Sequence, residues 1–481
     1  MNTKTIFTLL LVVMVMATRA RETEPFTLQG KISNVSDPRL FLLIESKSGL
    51  SEIDTILLQP DGSFHYTTNK VTYPRRTSLQ NRDIQVNDFF IAPGYQLTIT
   101  GDGKDIFTLM KTTRIEGAES NRYKQLHDSI RIARMDMTRW SDLKGDSLLQ
   151  YIRAEKHFTD SLEKVVFHDK VTTDPYLAHF GRMTYFENLF NRLYMLISSV
   201  INYGNLDEEK AYAFAAEITD KAILDDLFDE EYMISETYKT WFLDEYRRAL
   251  EAKDARENPS RENSRFHQLE IINTEFRGKA KEFSLFKLMR SGVELNVQTM
   301  EQLNEYKSAF ASYISNLTDP DYKQAIANLF REKEKFLSTT RVGQPAPDFT
   351  LESNTGETYS LADFRGKVVY IDLWSSWCRP CREEIPSLRE LYEKYKNDHR
   401  VAIIGISVSD SFDRWQKALS EDKPEWLQLF DSDGAVDTAY EAFFIPKYIL
   451  IDKNGHIVDM NAPRPSNIAA LENRLKKEME K

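Results

Sequence analysis

Asp372-Leu373-Trp374-Ser375-Ser376-Trp377-Cys378-Arg379-Pro380-Cys381-Arg382 is the stretch that decides how the last third of this chain folds. Lys367 to Trp374 reads as a buried strand, and Arg382 to Lys396 has helical spacing. Cys378 therefore falls where a strand gives way to a helix. Unpaired backbone N–H groups and the helix dipole favour negative charge there, and Arg379 adds a positive charge beside it. This placement predicts a lowered thiol pKa for Cys378, and the thiolate is the form that attacks a disulfide. Cys378 is expected to face solvent. Cys381, one turn further in, is expected to be more buried and to resolve the mixed disulfide. Pro380 stiffens the first turn.

The chain has two cysteines in all, three positions apart, which excludes a structural disulfide framework. The pair is kept for chemistry or for metal. Zinc takes about four ligands; there is no second Cys pair, and the nearest His, His399, lies beyond the helix. A copper site would need further His or Met ligands, and none is identified. Peroxide reduction typically uses a Thr three residues before the Cys, where this chain has Ser375. No metal and no cofactor are expected.

Outward from the pair, strand and helix signals alternate. Phe349-Thr350-Leu351, Asn354-Thr355-Gly356 and Glu357-Thr358-Tyr359 predict a hairpin. Val401 to Val408 is a strand, Phe412 to Leu419 and Ala435 to Ala442 are helical, and Tyr448 to Ile451 and His456 to Met460 are strands around the turn Lys453-Asn454-Gly455. A closing helix runs from about Asn467. Alternation of this kind predicts a sheet covered by helices over residues 341–481.

The texture before Arg341 is different. Residues 118–340 read as helical: Phe186, Leu189, Phe190, Leu193, Ile197 and Val200 share one helix face, Tyr194 and Leu196 widen it, and Thr318-Asp319-Pro320 reads as a helix start. The polar run Glu251 to Arg265 is expected to be an exposed loop. Residues 24–117 read as short strands of a β-sandwich: Phe26, Leu28, Gly30 and Ile32 alternate with polar residues, Leu40 to Ile44 is a buried run, and Pro60-Asp61-Gly62 is a turn. His65 is read as an ordinary strand residue. The expected fold class is thus an N-terminal β-sandwich-like domain, an α-helical middle region and a C-terminal α/β domain.

Residues 1–20 are laid out as a secretory signal peptide: Lys4, the apolar run Ile6 to Ala17, then Thr18-Arg19-Ala20, with cleavage expected after Ala20. Removing them takes Lys4 and Arg19 and no acidic residue, so the net charge moves from -11 to -13. A chain this acidic is a poor binder of polyanions, and no nucleic-acid partner is expected. Membrane association is expected only if the leader stays on as an anchor.

Trp377-Cys378-Arg379-Pro380-Cys381-Arg382-Glu383-Glu384-Ile385-Pro386, Val342-Gly343-Gln344-Pro345-Ala346-Pro347-Asp348-Phe349, and Ile445-Pro446 followed by Tyr448-Ile449-Leu450-Ile451-Asp452-Lys453-Asn454-Gly455 recur in an order that resembles the thioredoxin superfamily. The likeness is to its exported TlpA/ResA-like thiol–disulfide oxidoreductases. The three-part layout resembles multidomain members from Bacteroidetes. The resemblance implies a thioredoxin-like fold over 341–481 and a location in the periplasm or cell envelope. It implies protein disulfide or dithiol substrates, an upstream electron donor, and action as a reductant. It assigns Pro446 as a cis-proline facing the disulfide, Asp372 as a buried acid that moves the proton of the resolving Cys, and Glu384 as an acid near the site. Trp377 and the Ile445 backbone are left to meet the substrate. Arg379 stands in place of a commoner small residue, and Lys447 where Thr is frequent; both bear on partner choice and redox potential. The rival reading is a binding or assembly protein whose thioredoxin-like domain senses or docks.

Overall fold

The computed structural model describes residues 24–45, 51–81, 84–134, 138–168, 174–260, 264–339, 342–442 and 444–481; the expected signal peptide lies outside them. The chain divides into two compact units, one reaching Val297 and including Asn304–Leu329, the other made of Gln298–Leu303 and Phe330–Lys481.

The first unit holds eight strands, β1 (Phe26–Ser33), β2 (Arg39–Glu45), β3 (Ser51–Leu57), β4 (Ser63–Thr68), β5 (Arg75–Gln80), β6 (Gln85–Ile91), β7 (Gln96–Asp102) and β8 (Arg114–Glu116). They form two four-stranded sheets, ordered β4-β1-β7-β8 and β3-β2-β5-β6. Alternation explains the pairing of faces: Phe26, Leu28 and Ile32 of β1 are buried in one core with Leu40, Leu42 and Ile44 of β2. Gly30 breaks the apolar phase of β1 because the Ile99 backbone passes too close to admit a Cβ. A short helix, Ile106–Thr112, interrupts this sheet region, which the sequence reading took as strands alone.

The helical segment has an apolar cluster of its own around Tyr123, Leu162 and Val166, and it also meets the sheets. Phe180 and Met183, on the helix Leu177–Ile201, belong to the same apolar cluster as the two sheets, and the Phe180 ring stacks on Phe90 at 4.3 Å. The sheets and helices that the sequence divided at residue 117 thus fall in one compact unit. A second correction concerns Glu251 to Arg265. The helix Leu243–Glu257 continues through the first half of that run and the next, Arg265–Glu275, begins at its end. Lys253, Arg256 and Glu257 lie on the solvent face of the first, while Glu251 pairs with the buried Arg247 one turn before it. Pro320 is the first residue of the helix Pro320–Thr339, as its position after Thr318-Asp319 predicts. The second half of that helix, from Phe330, belongs to the second unit, so that unit begins earlier than residue 341. Among the described residues no helix is long and apolar enough to cross a membrane.

The second unit is built on one seven-stranded sheet of β9 (Thr350–Ser353), β10 (Thr358–Ser360), β11 (Val368–Trp374), β12 (Val401–Ser407), β13 (Leu427–Phe430), β14 (Lys447–Ile451) and β15 (Ile457–Asp459). Their order is β10-β9-β13-β12-β11-β14-β15. β11 runs parallel to β12 and antiparallel to β14. Being central, β11 is buried along its whole length. Val369, Ile371 and Leu373 point into one apolar layer, while Val368 and Tyr370 point into the other, with Leu388, Leu391, Leu471 and Leu475 of the helices Arg379–Tyr395 and Ile468–Met479. Asp372 shares the phase of Val368 and Tyr370 and so lies on the face that those two helices cover. β13, four residues long, is an element that sequence periodicity did not reveal.

Candidate active site

β11 ends at Trp374 and the chain turns through Ser375, Ser376 and Trp377 into the helix Arg379–Tyr395. Cys378 is the N-cap of that helix, and its sulfur accepts the Cys381 N–H at 3.2 Å. Pro380 occupies the first turn, where a missing N–H leaves no helical hydrogen bond unmade. The two cysteines form a disulfide with their Cα atoms 5.3 Å apart, so the site is in its oxidised state.

Cys378 is 4% exposed and Cys381 3%. The expectation that Cys378 faces solvent while Cys381 turns inward therefore does not hold in this state. Trp374, Trp415, Ala418, Leu419 and Phe430 form an apolar cluster with both cysteines, and Ile445 packs onto it. The bulk of the side chains around the N-cap, rather than helix geometry, sets the exposure of the first Cys. Trp377 next to it is 56% exposed, with Nε1 donating to the Ser409 carbonyl at 3.0 Å.

Ile445–Pro446 is a cis peptide, as expected. It leads directly into β14, where Lys447 lies opposite Leu373 and Tyr448 opposite Asp372. Lys447 Nζ donates to the carbonyls of Tyr440 and Glu441, at 2.7 and 3.1 Å, and burial pulls its pKa down to about 8. The Glu441 carboxylate in turn pairs with Lys333 at 2.7 Å. The unusual residue after the cis-proline thus ties down its own loop.

Asp372 is 6% exposed, and its Oδ1 is buried without a hydrogen-bond partner. Loss of hydration is the larger cause, and the Glu384 carboxylate the second, that push its pKa up to about 8. Glu384 is itself buried on the helix face that carries Cys381, Leu388, Leu391 and Tyr395. Its two oxygens accept the Ser466 N–H and hydroxyl, both at 2.9 Å, and Arg464 lies 3.7 Å away. Both Glu384 oxygens are therefore hydrogen-bonded. Asp372 is left as the group that keeps a proton, since two neighbouring buried carboxylates do not both ionise readily. The structure brings Asp372, Glu384 and Cys381 to the same side of β11.

One residue of the site escaped the sequence reading. Asp410 is buried after β12, and its carboxylate accepts the Ser376 N–H at 2.6 Å, the Ser376 hydroxyl at 2.7 Å, the Ser407 hydroxyl at 3.0 Å and the Ser411 N–H at 2.8 Å. It clamps the turn that presents Cys378. Its sequence signal was its position in Ser409-Asp410-Ser411 between a strand and a helix, a pattern common to ordinary helix starts. Among the described residues no three His, Cys, Asp or Glu side chains gather closely enough to hold a metal.

Residues 342–460 match the sequence model of the AhpC/TSA family. The thiol–disulfide oxidoreductase ResA of Geobacillus kaustophilus is 35% identical over 130 residues, which cover 27% of this chain and 72% of ResA. The thioredoxin-like protein YneN of Bacillus subtilis is 27% identical over 134 residues, covering 28% of this chain and 79% of YneN. A crystal structure of the thioredoxin domain of a Bacteroides vulgatus thiol–disulfide oxidoreductase is similar at 33% identity, covering 28% of this chain and 96% of that one, with a TM-score of 0.26 over the whole chain. With 35% identity to ResA across 72% of its length and the AhpC/TSA match over residues 342–460, this chain, with its Cys378–Cys381 disulfide, belongs to the thioredoxin-like thiol–disulfide oxidoreductases of the AhpC/TSA family.

Proposed function

We propose that the chain works outside the cytoplasm, in the periplasm or cell envelope, as a dithiol reductant of protein disulfides. The observation that carries the reading is the buried, unpartnered Asp372 on the helix side of β11, with a pKa near that of a thiol. In the reduced protein the Cys378 thiolate attacks one sulfur of a substrate disulfide, forming a mixed disulfide and expelling the first substrate thiolate. The Cys381 thiol then passes its proton to Asp372 in its ionised form, the minor form at pH 7 for a group with a pKa of about 8. A pKa of about 8 stands close to the ~8.5 of a free thiol, so this transfer is nearly balanced in energy. The Cys381 thiolate attacks Cys378 Sγ, the second substrate thiolate leaves, and the Cys378–Cys381 disulfide remains. A separate donor of two electrons returns it to the dithiol.

Trp377 and Phe444, both largely exposed, give the substrate an apolar footing beside the pair. The Ile445 backbone supplies strand-like hydrogen bonds. Cys381→Ser, expressed from the full chain with its leader, should accumulate mixed disulfides with periplasmic proteins, seen on non-reducing gels. Cys378→Ser should accumulate none. Reversed trapping, or adducts confined to the cytoplasm, would overturn the assignment of roles or of compartment. A purified protein that oxidises dithiols but fails to reduce insulin disulfides would overturn the direction.

A further inference from the structure

A second site stands in the first unit, apart from the cysteine chemistry. A cavity of about 320 Å³ is lined by β6, by the helices Arg122–Arg134 and Gly145–Glu163, and by the helix Leu177–Ile201. Arg192, on the last of these, is 3% exposed and lines it. Its Nη1 donates to Thr159 Oγ1 at 3.2 Å, and its Nε is buried with no acceptor. The described residues give it no carboxylate at ion-pair distance. An arginine in this state is costly, because its charge has lost water and Asp160 and Glu163 act on it only from beyond ion-pair distance. Loss of hydration accordingly pulls its pKa below the ordinary value.

Most other charges of the cavity are already engaged, Arg76 with Glu187 at 4.0 Å among them, while Asp88 is exposed. Lys124 pairs with Asp128 and Arg131 with Glu155. The Glu187 carboxylate accepts the backbone N–H groups of Glu236 and Thr237. Arg76 adds a second buried guanidinium Nε with no acceptor and lies over the Phe90 ring. Tyr123 is within electrostatic reach of both Arg76 and Arg192. Its hydroxyl accepts from Asn188 at 2.9 Å, which leaves its own proton to donate. Phe90 and Met195 supply an apolar wall.

We propose that this cavity is a binding site for a small organic monocarboxylate, paired with the guanidinium of Arg192 and seated with its apolar body against Phe90 and Met195. A planar guanidinium offers two parallel donors to a carboxylate. The carboxylates already present in the wall disfavour a dianion, so phosphate should bind less well.

Titration calorimetry of the full mature chain at pH 7 tests this with benzoate as probe and inorganic phosphate as comparison. Benzoate should bind one saturable site. Arg192→Met should weaken it at least tenfold and should raise the melting temperature of the ligand-free protein, since an uncompensated charge is gone. Arg192→Lys keeps the charge without the planar fork and should fall between the two, which preserves the test should the Met variant not fold. Benzoate that gives no saturable heat with the wild-type chain would overturn the proposal. So would benzoate affinity within threefold of wild type in either variant, or phosphate binding as tightly as benzoate.

Discussion

Asp372→Asn isolates the group on which the proposed resolution step turns. In the folded, oxidised protein its pKa stands at about 8 against 3.8 for the unfolded chain. Between those values the folded state holds a proton that the unfolded state has released, so stability falls as pH rises through the window and levels off above about 8. The slope is about 1.4 kcal/mol per pH unit. At pH 7 the wild-type fold therefore carries a burden of about 4 kcal/mol from this one carboxyl, relative to a group of unshifted pKa. Asn has no such burden. Its amide introduces a constant offset of about 1–3 kcal/mol if its donors go unbonded, but that offset does not change with pH. The advantage of Asp372→Asn over wild type should thus grow by about 3 kcal/mol between pH 5 and pH 7. Hydrogen exchange of the β11 amides, read in a peptide covering Val368–Trp374, reports this unit without the other. A gap that stays flat from pH 5 to pH 8 would show that Asp372 is ionised throughout with an unshifted pKa, and the argument that its pKa is matched to the Cys381 thiol would fall with it.

Glu384→Gln removes the second cause of the Asp372 shift, so the pH midpoint of mixed-disulfide resolution should move down while attack by Cys378 is unchanged; stopped-flow measurement of the two phases checks it, and an unmoved midpoint would leave burial as the whole cause. Asp410→Ala strips two hydrogen bonds from the turn that presents Cys378 and two more from Ser407 and Ser411. It should destabilise the second unit by about 1–3 kcal/mol and slow insulin reduction; full activity with lowered stability would mark Asp410 as a structural group alone.

Local order was legible along the second unit because each of its longer elements has an unmixed pattern. Val368–Trp374 is apolar but for Asp372, as a strand covered on both faces should be, and Cys381, Glu384, Leu388, Leu391 and Tyr395 fall on one buried helix face. The N-cap position of Cys378 follows from that junction alone. β13 has four residues and too short a period to register, and it exists because β12 and β9 offer it edges on both sides. In the first unit, a change of texture near residue 117 was read as a domain boundary. Texture reports secondary structure, whereas the boundary depends on which apolar faces meet, and Phe180 meets Phe90.

The sequence by itself determined which atoms can do redox chemistry, since it holds two cysteines and sets them three apart at the start of a helix. The tertiary structure alone decided how those atoms are tuned. Exposure, hydration and the nearness of a second charge are properties of space filled by distant segments. Trp415, Phe430 and Ile445 pack in one cluster with the cysteines, Ser466 hydrogen-bonds Glu384, and Asp410 grips Ser376 across 34 residues of chain. No spacing along the backbone encodes those distances, because each is fixed by the packing of the sheet and the helices around it.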